Sequence, residues 1–390
     1  MVLRFLNLAN NNLSGRIPES FGRICRKDNY VTSLHFQNNS FIGELPVALM
    51  NCSSLIIIDF GENKLFGRIP TWIGTSLKDL VVLRLPSNMF VGSIPLELCQ
   101  LTSLQILDLS NNSISGTIPR CLKNFTAMSQ KQESSVFQGY ISKVLSNYIS
   151  VPKYLTISLY SYFENAFVNT KGLHLDYDKI LGLVKVIDLS SNKLKGEIPR
   201  EITSLVELIG LNLSRNLLTG IIPWSIGDLK ELDSLDLSSN HLSSVIPPSL
   251  ATLSFLGYLN LSDNNLSGKI PTGTQLQSFG ASSYAGNKDL CGLPLMKKCL
   301  GDETPQGPQI GNTHREGNIQ EHTNSHEHLW FYASIVVGFI VGFWGVCGTL
   351  ALKSSWRHAY FQFLDRMGDK LYVTITINMA KVLRNFKTHC

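Results

Sequence analysis

Leucines and other apolar residues recur along this chain in the order L-x-x-L-x-x-L-x-L-x-x-N, as in the segment from Leu101 to Asn112. The L-x-L part alternates apolar and polar residues, which is the period of a half-buried strand. The unit returns at a nearly constant interval along the chain, and one such unit cannot bury its own apolar side. The pattern therefore predicts a stack of coils in which one short strand per coil joins a parallel sheet.

Nine asparagines mark the repeats, evenly spaced except for one long gap between the fifth and the sixth. They are Asn11, Asn39, Asn63, Asn88, Asn112, Asn192, Asn216, Asn240 and Asn264. A side-chain amide carries both donors and an acceptor. An asparagine buried where the chain leaves the strand can therefore satisfy backbone groups of adjacent coils. We expect a structural role for all nine rather than a ligand site.

A G-x-I-P ending follows most of these asparagines. Glycine permits backbone angles that other residues resist, and proline stops a helix from continuing. With this ending the sequence resembles the plant-specific class of extracellular leucine-rich repeats, which is found in plant receptor kinases and in kinase-less receptor-like proteins. One coil departs from the pattern, because Ser244 replaces the glycine and Pro247 is followed by Pro248.

The expected fold class is an α/β leucine-rich-repeat solenoid of the plant type, with a parallel β-sheet on its concave face, an island insertion and a single transmembrane α-helix. The insertion stretches the interval between Asn112 and Asn192 far beyond one period, and such insertions often lie on the binding face of a solenoid. The predicted segments are repeats at 1–124, the island at 125–178, repeats at 179–284, a cap at 285–299, a linker at 300–328, a membrane span at 329–352 and a cytoplasmic tail at 353–390.

The first coil is incomplete, because Leu3 already occupies its second apolar position. No charged start, apolar run and cleavage site mark a signal peptide. Solenoids need polar terminal caps, and none precedes Met1. We therefore expect the C-terminal part of a longer receptor or a truncated gene model.

Six of the eight cysteines lie before residue 300, which is typical of an oxidising compartment. In the resembled family the cap closes with a disulfide, and Cys291 and Cys299 match that pair. Two further cysteines, Cys99 and Cys121, fall at similar points of adjacent coils, where a bridge and two buried thiols are both compatible with the pattern. The sequence leaves the state of Cys25 and Cys52 open.

The segment from Leu329 to Leu352 contains no charged residue, and a helix of this length spans roughly 36 Å at about 1.5 Å per residue. This is long enough to cross a hydrocarbon core of about 30 Å. Basic residues dominate the flank that follows, which predicts a single-pass type I protein of the plasma membrane with extracellular repeats. The net charge of +5 lies mostly in this flank and gives no argument for nucleic acid.

Two short motifs accompany the span. Gly338 and Gly342 form G-x-x-x-G, a spacing that lets a second helix approach closely, and in similar receptor-like proteins this segment pairs with an adaptor receptor kinase. After the span, Tyr360 and Phe363 match a tyrosine-x-x-bulky endocytic signal, although a basic amphipathic helix on the membrane surface explains the same residues. We expect no metal site, because the histidines of the linker have no scaffold that would fix a coordination geometry.

The outward positions of the strands form the predicted binding face. Before the island they are mixed, and the candidate ligand-binding residues are His35, Asp59, Glu62, Arg84 and Asp108. After the island they are uniform, with Asp188, Asn212, Asp236 and Asn260 each followed by Leu-Ser. A mixed surface favours ligand recognition, whereas a uniform surface favours a shared partner. In the resembled family the island and the C-terminal repeats contact co-receptor kinases.

Eight N-glycosylation sequons precede the span, which fits a secreted surface. They are Asn12, Asn38, Asn51, Asn111, Asn124, Asn212, Asn260 and Asn265. Glycans on the concave face would narrow the site available to a ligand.

These features predict a receptor-like protein that binds an extracellular protein or peptide and signals through adaptor and co-receptor leucine-rich-repeat receptor kinases. The tail contains no kinase motif, and no constellation of residues indicates an enzyme or a cofactor. The resemblance is to immune receptors of the type that detect fungal xylanase or confer apple scab resistance. Alternatives are a developmental peptide receptor, a protein like the inhibitors of wall-degrading enzymes, and a non-functional receptor fragment.

Overall fold

A computed structural model describes residues 3–25, 31–130, 166–170, 173–177 and 184–299. The chain divides into two compact units, 1–305 and 306–390, and every described residue belongs to the first. In that described part no helix is long and apolar enough to cross a membrane. The predicted linker, span and tail and most of the island lie outside the described residues, as do Gly338, Gly342, Tyr360 and Phe363.

The predicted L-x-L strands form one parallel sheet of nine strands, and their spatial order is their order in the chain. The strands are Phe5–Asn7, Ser33–His35, Ile57–Asp59, Val82–Arg84, Ile106–Asp108, Val186–Asp188, Gly210–Asn212, Ser234–Asp236 and Tyr258–Asn260. Asp108 pairs directly with Asp188. The sheet is therefore continuous across the insertion, and the predicted repeat fold is confirmed.

A second parallel sheet, which the sequence pattern did not predict, is formed by short strands that come after the repeated asparagines. Its ten strands are Ser14–Arg16, Ser40–Gly43, Lys64–Arg68, Met89–Ser93, Ser113–Gly116, Lys193–Glu197, Leu217–Gly220, His241–Val245, Asn265–Lys269 and Asp289–Cys291. Most of these strands have a buried residue between more exposed ones, as Leu65 lies between Lys64 and Phe66. The N-x-L-x-G segment is thus a second half-buried strand.

Short helical turns complete the coils. Most are 3₁₀ turns, at Glu19–Cys25, Val47–Asn51, Leu96–Gln100, Arg120–Asn124, Arg200–Ser204, Trp224–Asp228, Pro248–Thr252 and Ala281–Tyr284. In the described residues α-helix is limited to Trp72–Ser76, Thr126–Ser129 and Thr274–Ser278. The proline of the I-P ending directly precedes most 3₁₀ turns in an extended conformation, as Pro95 does, because its ring fixes φ and it lacks an N–H.

The repeated asparagines form a hydrogen-bonded ladder, as expected. Asn63 donates its Nδ2 protons to the carbonyl oxygens of Phe36, Phe60 and Gly61, and its Oδ1 accepts from the backbone nitrogen of Phe41 at 3.0 Å. The structure adds a tenth member, Asn287, with the same set of bonds. The repeat pattern misses it because no L-x-L strand precedes it.

Three disulfides connect the described cysteines. Cys291–Cys299 is present, as the resemblance implies, and Cys99–Cys121 takes the bridged alternative. The third is Cys25–Cys52, whose state the sequence left open. Two of the bridges join successive coils.

The repeat core extends into the region predicted as the island. Phe125 and Met128 are fully buried in the core, and the backbone nitrogen of Glu207 donates to the Met128 carbonyl across the insertion. Farther along, 166–170 and 173–177 form an antiparallel pair of strands. The coil that precedes the insertion therefore closes near residue 130 before the chain departs.

Candidate ligand-binding face

One outward position of each strand in the nine-stranded sheet forms a row that we call the polar column. Its members, in register from strand to strand, are Asn7, His35, Asp59, Arg84, Asp108, Asp188, Asn212, Asp236 and Asn260. Adjacent strands lie about 4.8 Å apart. Four of the five candidate ligand-binding residues are therefore consecutive neighbours in this column.

Arg84 holds the middle of the polar column together. Its Nη1 lies 2.6 Å from Asp59 Oδ2, and its Nη2 lies 3.3 Å from Asp108 Oδ2. All three side chains are at least nine-tenths buried. Because each carboxylate comes from the neighbouring strand on either side, one guanidinium connects three successive coils.

Burial changes the acid–base behaviour of this column. It disfavours the Arg84 cation, but the Asp59 and Asp108 carboxylates outweigh it and raise the pKa of Arg84. Burial likewise raises the pKa of Asp59, and Arg84 acts against that change. It lowers the pKa of His35 to about 4, helped by the positive charge of Arg84.

Asp188 is a further buried carboxyl group of this column whose ionisation is disfavoured. Burial, together with the nearby Asp108 carboxylate, raises its pKa to about 7, although hydrogen bonds from Ser190 and Asn212 favour the charged form. The ion pairs found in the described part of the chain do not include Asp188. The polar column thus contains one arginine and four carboxyl groups, and the arginine pairs with two of them.

Glu62 does not belong to the polar column. It sits at the turn after the strand with φ of +52°, and its side chain is exposed. The equivalent residues of the neighbouring coils also have positive φ, as Ser87 and Asn111 do. The structure therefore places Glu62 at the rim of the sheet, apart from the other four candidates.

The other outward position of each strand forms an apolar column, which the analysis of strand positions in the sequence did not predict. In the central coils it contains Ile57, Val82, Ile106 and Val186, all at most 2% exposed. The signal was available, since strand residues two apart share a face.

A groove of about 540 Å³ opens on the later coils of the nine-stranded sheet. None of the five candidate residues lines it. The lining is mostly small and polar, consisting of Ser87, Ser110, Asn111, Val186, Ser190, Ser191, Gly210, Leu211, Asn212, Ser214, Arg215, Ser234, Asp236, Ser238, Tyr258 and Asn260. The groove therefore lies mainly on the coils after the island, whose uniform polar residues led us to expect a shared partner.

The sequons differ in accessibility. Six are exposed, at Asn12, Asn38, Asn51, Asn111, Asn124 and Asn265. Asn212 and Asn260 are half-buried in the polar column, and Asn212 donates its Nδ2 proton to Asp188 Oδ2 at 3.2 Å. In the described part of the chain no cluster of histidine, cysteine and acidic residues is arranged to hold a metal ion.

Comparison with known proteins identifies the class first. Leucine-rich-repeat family models match residues 183–242 and 207–266, and a second such model matches 2–24 and 103–125. Among solved structures, the ectodomain of the Arabidopsis receptor kinase HAESA in complex with an IDA peptide hormone ligand aligns with a TM-score of 0.55 and 30% identity, over 76% of this chain and 39% of that chain. A plant ice-binding protein aligns with a TM-score of 0.50 and 25% identity, over 76% and 84%.

Curated relatives then give the family. Receptor-like protein EIX2 of Solanum lycopersicum is 47% identical over 97% of this chain, and Receptor-like protein EIX1 of the same species is 54% identical over 80%. The chain is a homologue of the plant leucine-rich-repeat receptor-like proteins, and the resemblance seen in the sequence is confirmed. This chain spans 43% of the length of EIX2 and 30% of the length of EIX1.

Proposed function

We propose that this chain is the membrane-proximal part of a plant cell-surface receptor that binds an extracellular protein or peptide and signals through associated receptor kinases. The observation that carries the proposal is the 47% identity to EIX2 over 97% of the chain. The HAESA ectodomain, whose repeats are built in the same way, binds a peptide hormone. An immune role is the version that the sequence resemblance to receptors that detect fungal xylanase favours.

The peptide-bound HAESA ectodomain also supports a second candidate, a developmental receptor for a secreted peptide. Both candidates need the same physical device, a sheet whose outward residues differ from coil to coil. The nine-stranded sheet supplies it, because its outward residues are charged and paired in the earlier coils and mostly small and polar around the groove of the later coils. The two candidates differ in the ligand, and a binding experiment separates them.

The proposed location is the plasma membrane, with residues 329–352 as a single span and the repeats outside the cell. The support is the uncharged segment 329–352 followed by basic residues, and the eight sequons all lie on its predicted outer side. Enzymatic removal of N-glycans from the protein expressed in leaf cells should lower its apparent mass. An unchanged mobility would contradict this orientation.

Signalling is proposed to depend on helix contact with an adaptor kinase through Gly338 and Gly342. The two glycines share one face of the predicted helix, and small residues permit close packing in a bilayer. We expect the Gly338→Leu/Gly342→Leu variant to recover far less adaptor kinase on co-precipitation from leaf membranes. Ala333→Leu, on the opposite side of the same predicted helix, is the matched control and should leave recovery unchanged.

The test of the whole proposal combines this co-precipitation with purified fungal xylanase as the probe. Leaf cells that express the full chain should bind labelled xylanase at their surface and recover the adaptor kinase. Kinase recovery without xylanase binding would favour the developmental candidate. If neither xylanase nor any receptor kinase is recovered with the chain, the receptor proposal is wrong.

A further inference from the structure

The groove on the later coils exists because two large side chains are missing from the apolar column. In that column Val186 is followed by Gly210, Ser234 and Tyr258 in strand-to-strand register. Three strand steps of about 4.8 Å separate Val186 from Tyr258 by roughly 14 Å. Between them a glycine and a serine stand where the four preceding coils carry isoleucine or valine. We call this gap the Gly210–Ser234 notch.

The lining of the groove has the composition of a protein-recognition surface. Serine, asparagine and glycine dominate it, and Tyr258 adds a large ring at one end. Antibody binding loops use the same residue types, because tyrosine supplies rigid contact area while serine, glycine and asparagine supply adaptable hydrogen bonds. Sites for small organic ligands are instead mostly apolar. The groove therefore suits a polypeptide segment better than a small molecule.

Asp236 places an acidic group beside the notch. Asp236 Oδ1 accepts from the backbone nitrogen and hydroxyl of Ser238, and its Oδ2 accepts a long bond of 3.3 Å from the Tyr258 hydroxyl. The groove has one basic residue in its lining, Arg215, and that side chain is exposed.

We propose, on the basis of the receptor function proposed above, that the groove binds an extended segment of a polypeptide ligand and that the Gly210–Ser234 notch receives a lysine or arginine side chain of that segment. The depth left by Gly210 admits the aliphatic stem, and the charged end pairs with Asp236. The charge-assisted bond is stronger than a neutral one. A valine at position 210, as in the preceding coil, would close the notch.

The experiment selects peptides on the intact protein. The full chain, purified from plant membranes in detergent, is immobilised and exposed to a phage-displayed library of short random peptides. The most enriched peptide is then synthesised, together with an analogue in which its basic residue is replaced by glutamine. Binding of both peptides is measured for the wild type and for the Gly210→Val, Asp236→Gln and Gly257→Val variants.

We expect the selected peptides to share a lysine or arginine, and the basic peptide to bind at least tenfold more weakly to Gly210→Val. Asp236→Gln should weaken the basic peptide tenfold and leave the glutamine analogue unchanged, which isolates the charge pair. Glutamine is used because asparagine at position 236 would form a glycosylation sequon with Ser238. Asp236 is half-buried, so this variant should fold. Gly257→Val is the matched control, because Gly257 is exposed and does not line the groove.

Three results of the binding experiment would overturn the inference. They are a library that yields no binder, binders without a basic residue, and binders that Gly210→Val does not weaken. A glycan mapped to Asn212 would also overturn it, because the glycan would occupy the groove. If the adaptor kinase is still recovered in these cases, the receptor function stands and only the assignment of the notch fails.

Discussion

Arg84 and Asp59 form a buried ion pair across neighbouring strands, with Nη1 and Oδ2 2.6 Å apart. The same guanidinium reaches Asp108 on the other side. Much of the charge on the earlier coils is therefore neutralised within the protein rather than offered to a ligand. The variety of outward residues marked these positions as candidate ligand-binding residues in the sequence. The open groove nevertheless lies on the coils that follow.

Removal of the Arg84 charge should destabilise the repeats strongly. Arg84→Met would leave Asp59 and Asp108 buried without their cation, and the loss of one partner from a buried pair costs about 3–5 kcal/mol. We expect a decrease of that size in the free energy of unfolding, measured by urea denaturation at neutral pH. The triple variant Asp59→Asn/Arg84→Met/Asp108→Asn should recover most of it. An unchanged denaturation midpoint for Arg84→Met would refute the buried network.

The pH dependence of stability should contain two opposing contributions. Asp188 has a pKa raised from 3.8 to about 7, so its contribution to stability is full below about pH 4 and is lost as the pH rises toward 7. His35 has a pKa lowered from 6.5 to about 4. Its contribution is full above about pH 6.5 and is lost as the pH falls toward 4. Between these limits the two slopes oppose each other.

Single variants should separate these slopes. Asp188→Asn, which leaves the His35 contribution, should give a repeat unit whose stability rises between about pH 4 and pH 6.5 relative to the wild type. His35→Gln should give the reverse slope. Urea denaturation at several pH values measures both. Parallel curves for the wild type and both variants would show that neither group titrates with a displaced pKa.

The sequence predicts the repeat period, the first sheet and the ladder asparagines well, because every coil needs leucine or asparagine at the same positions. It predicts the second sheet poorly, since most strands there offer only one buried residue between exposed ones, as Leu65 does. The groove could not be predicted for a different reason. It opens where Gly210 and Ser234 lack the bulky side chains of the preceding coils, and the polar residues of the sequence carry no sign of that difference.

Ser244 should be the least favourable residue in the ten-stranded sheet. It adopts φ of +71° where neighbouring coils have glycine, and left-handed backbone costs an L-residue about 1–2 kcal/mol. Ser244→Gly should therefore raise the free energy of unfolding by about 1 kcal/mol. Gly220→Ser is the reverse change in the preceding coil, and it should destabilise the protein, because its Cβ would lie 2.8 Å from Glu197 Cγ. Equal signs for the two changes would contradict this explanation of the turn.

Asn287 should stabilise the cap as strongly as an ordinary ladder asparagine stabilises its coil. Its Nδ2 donates to the carbonyl oxygens of Leu261 and Tyr284 at 2.9 and 3.0 Å, and its Oδ1 accepts from the backbone nitrogen of Leu266 at 3.0 Å. Asn287→Ala leaves these buried groups unpaired.

We expect Asn287→Ala to cost about 2–4 kcal/mol, as several buried groups each lose a partner worth about 1 kcal/mol or more. Asn240→Ala, in an interior coil, is the matched comparison and should cost a similar amount, whereas Asn265→Ala on the exposed surface should cost little. Hydrogen exchange should show the amide of Leu266 losing protection in Asn287→Ala and keeping it in Asn265→Ala. Retained protection of Leu266 in Asn287→Ala would mean that Asn287 is not part of the ladder, and the cap would then depend on the Cys291–Cys299 bridge and the buried Tyr284 instead.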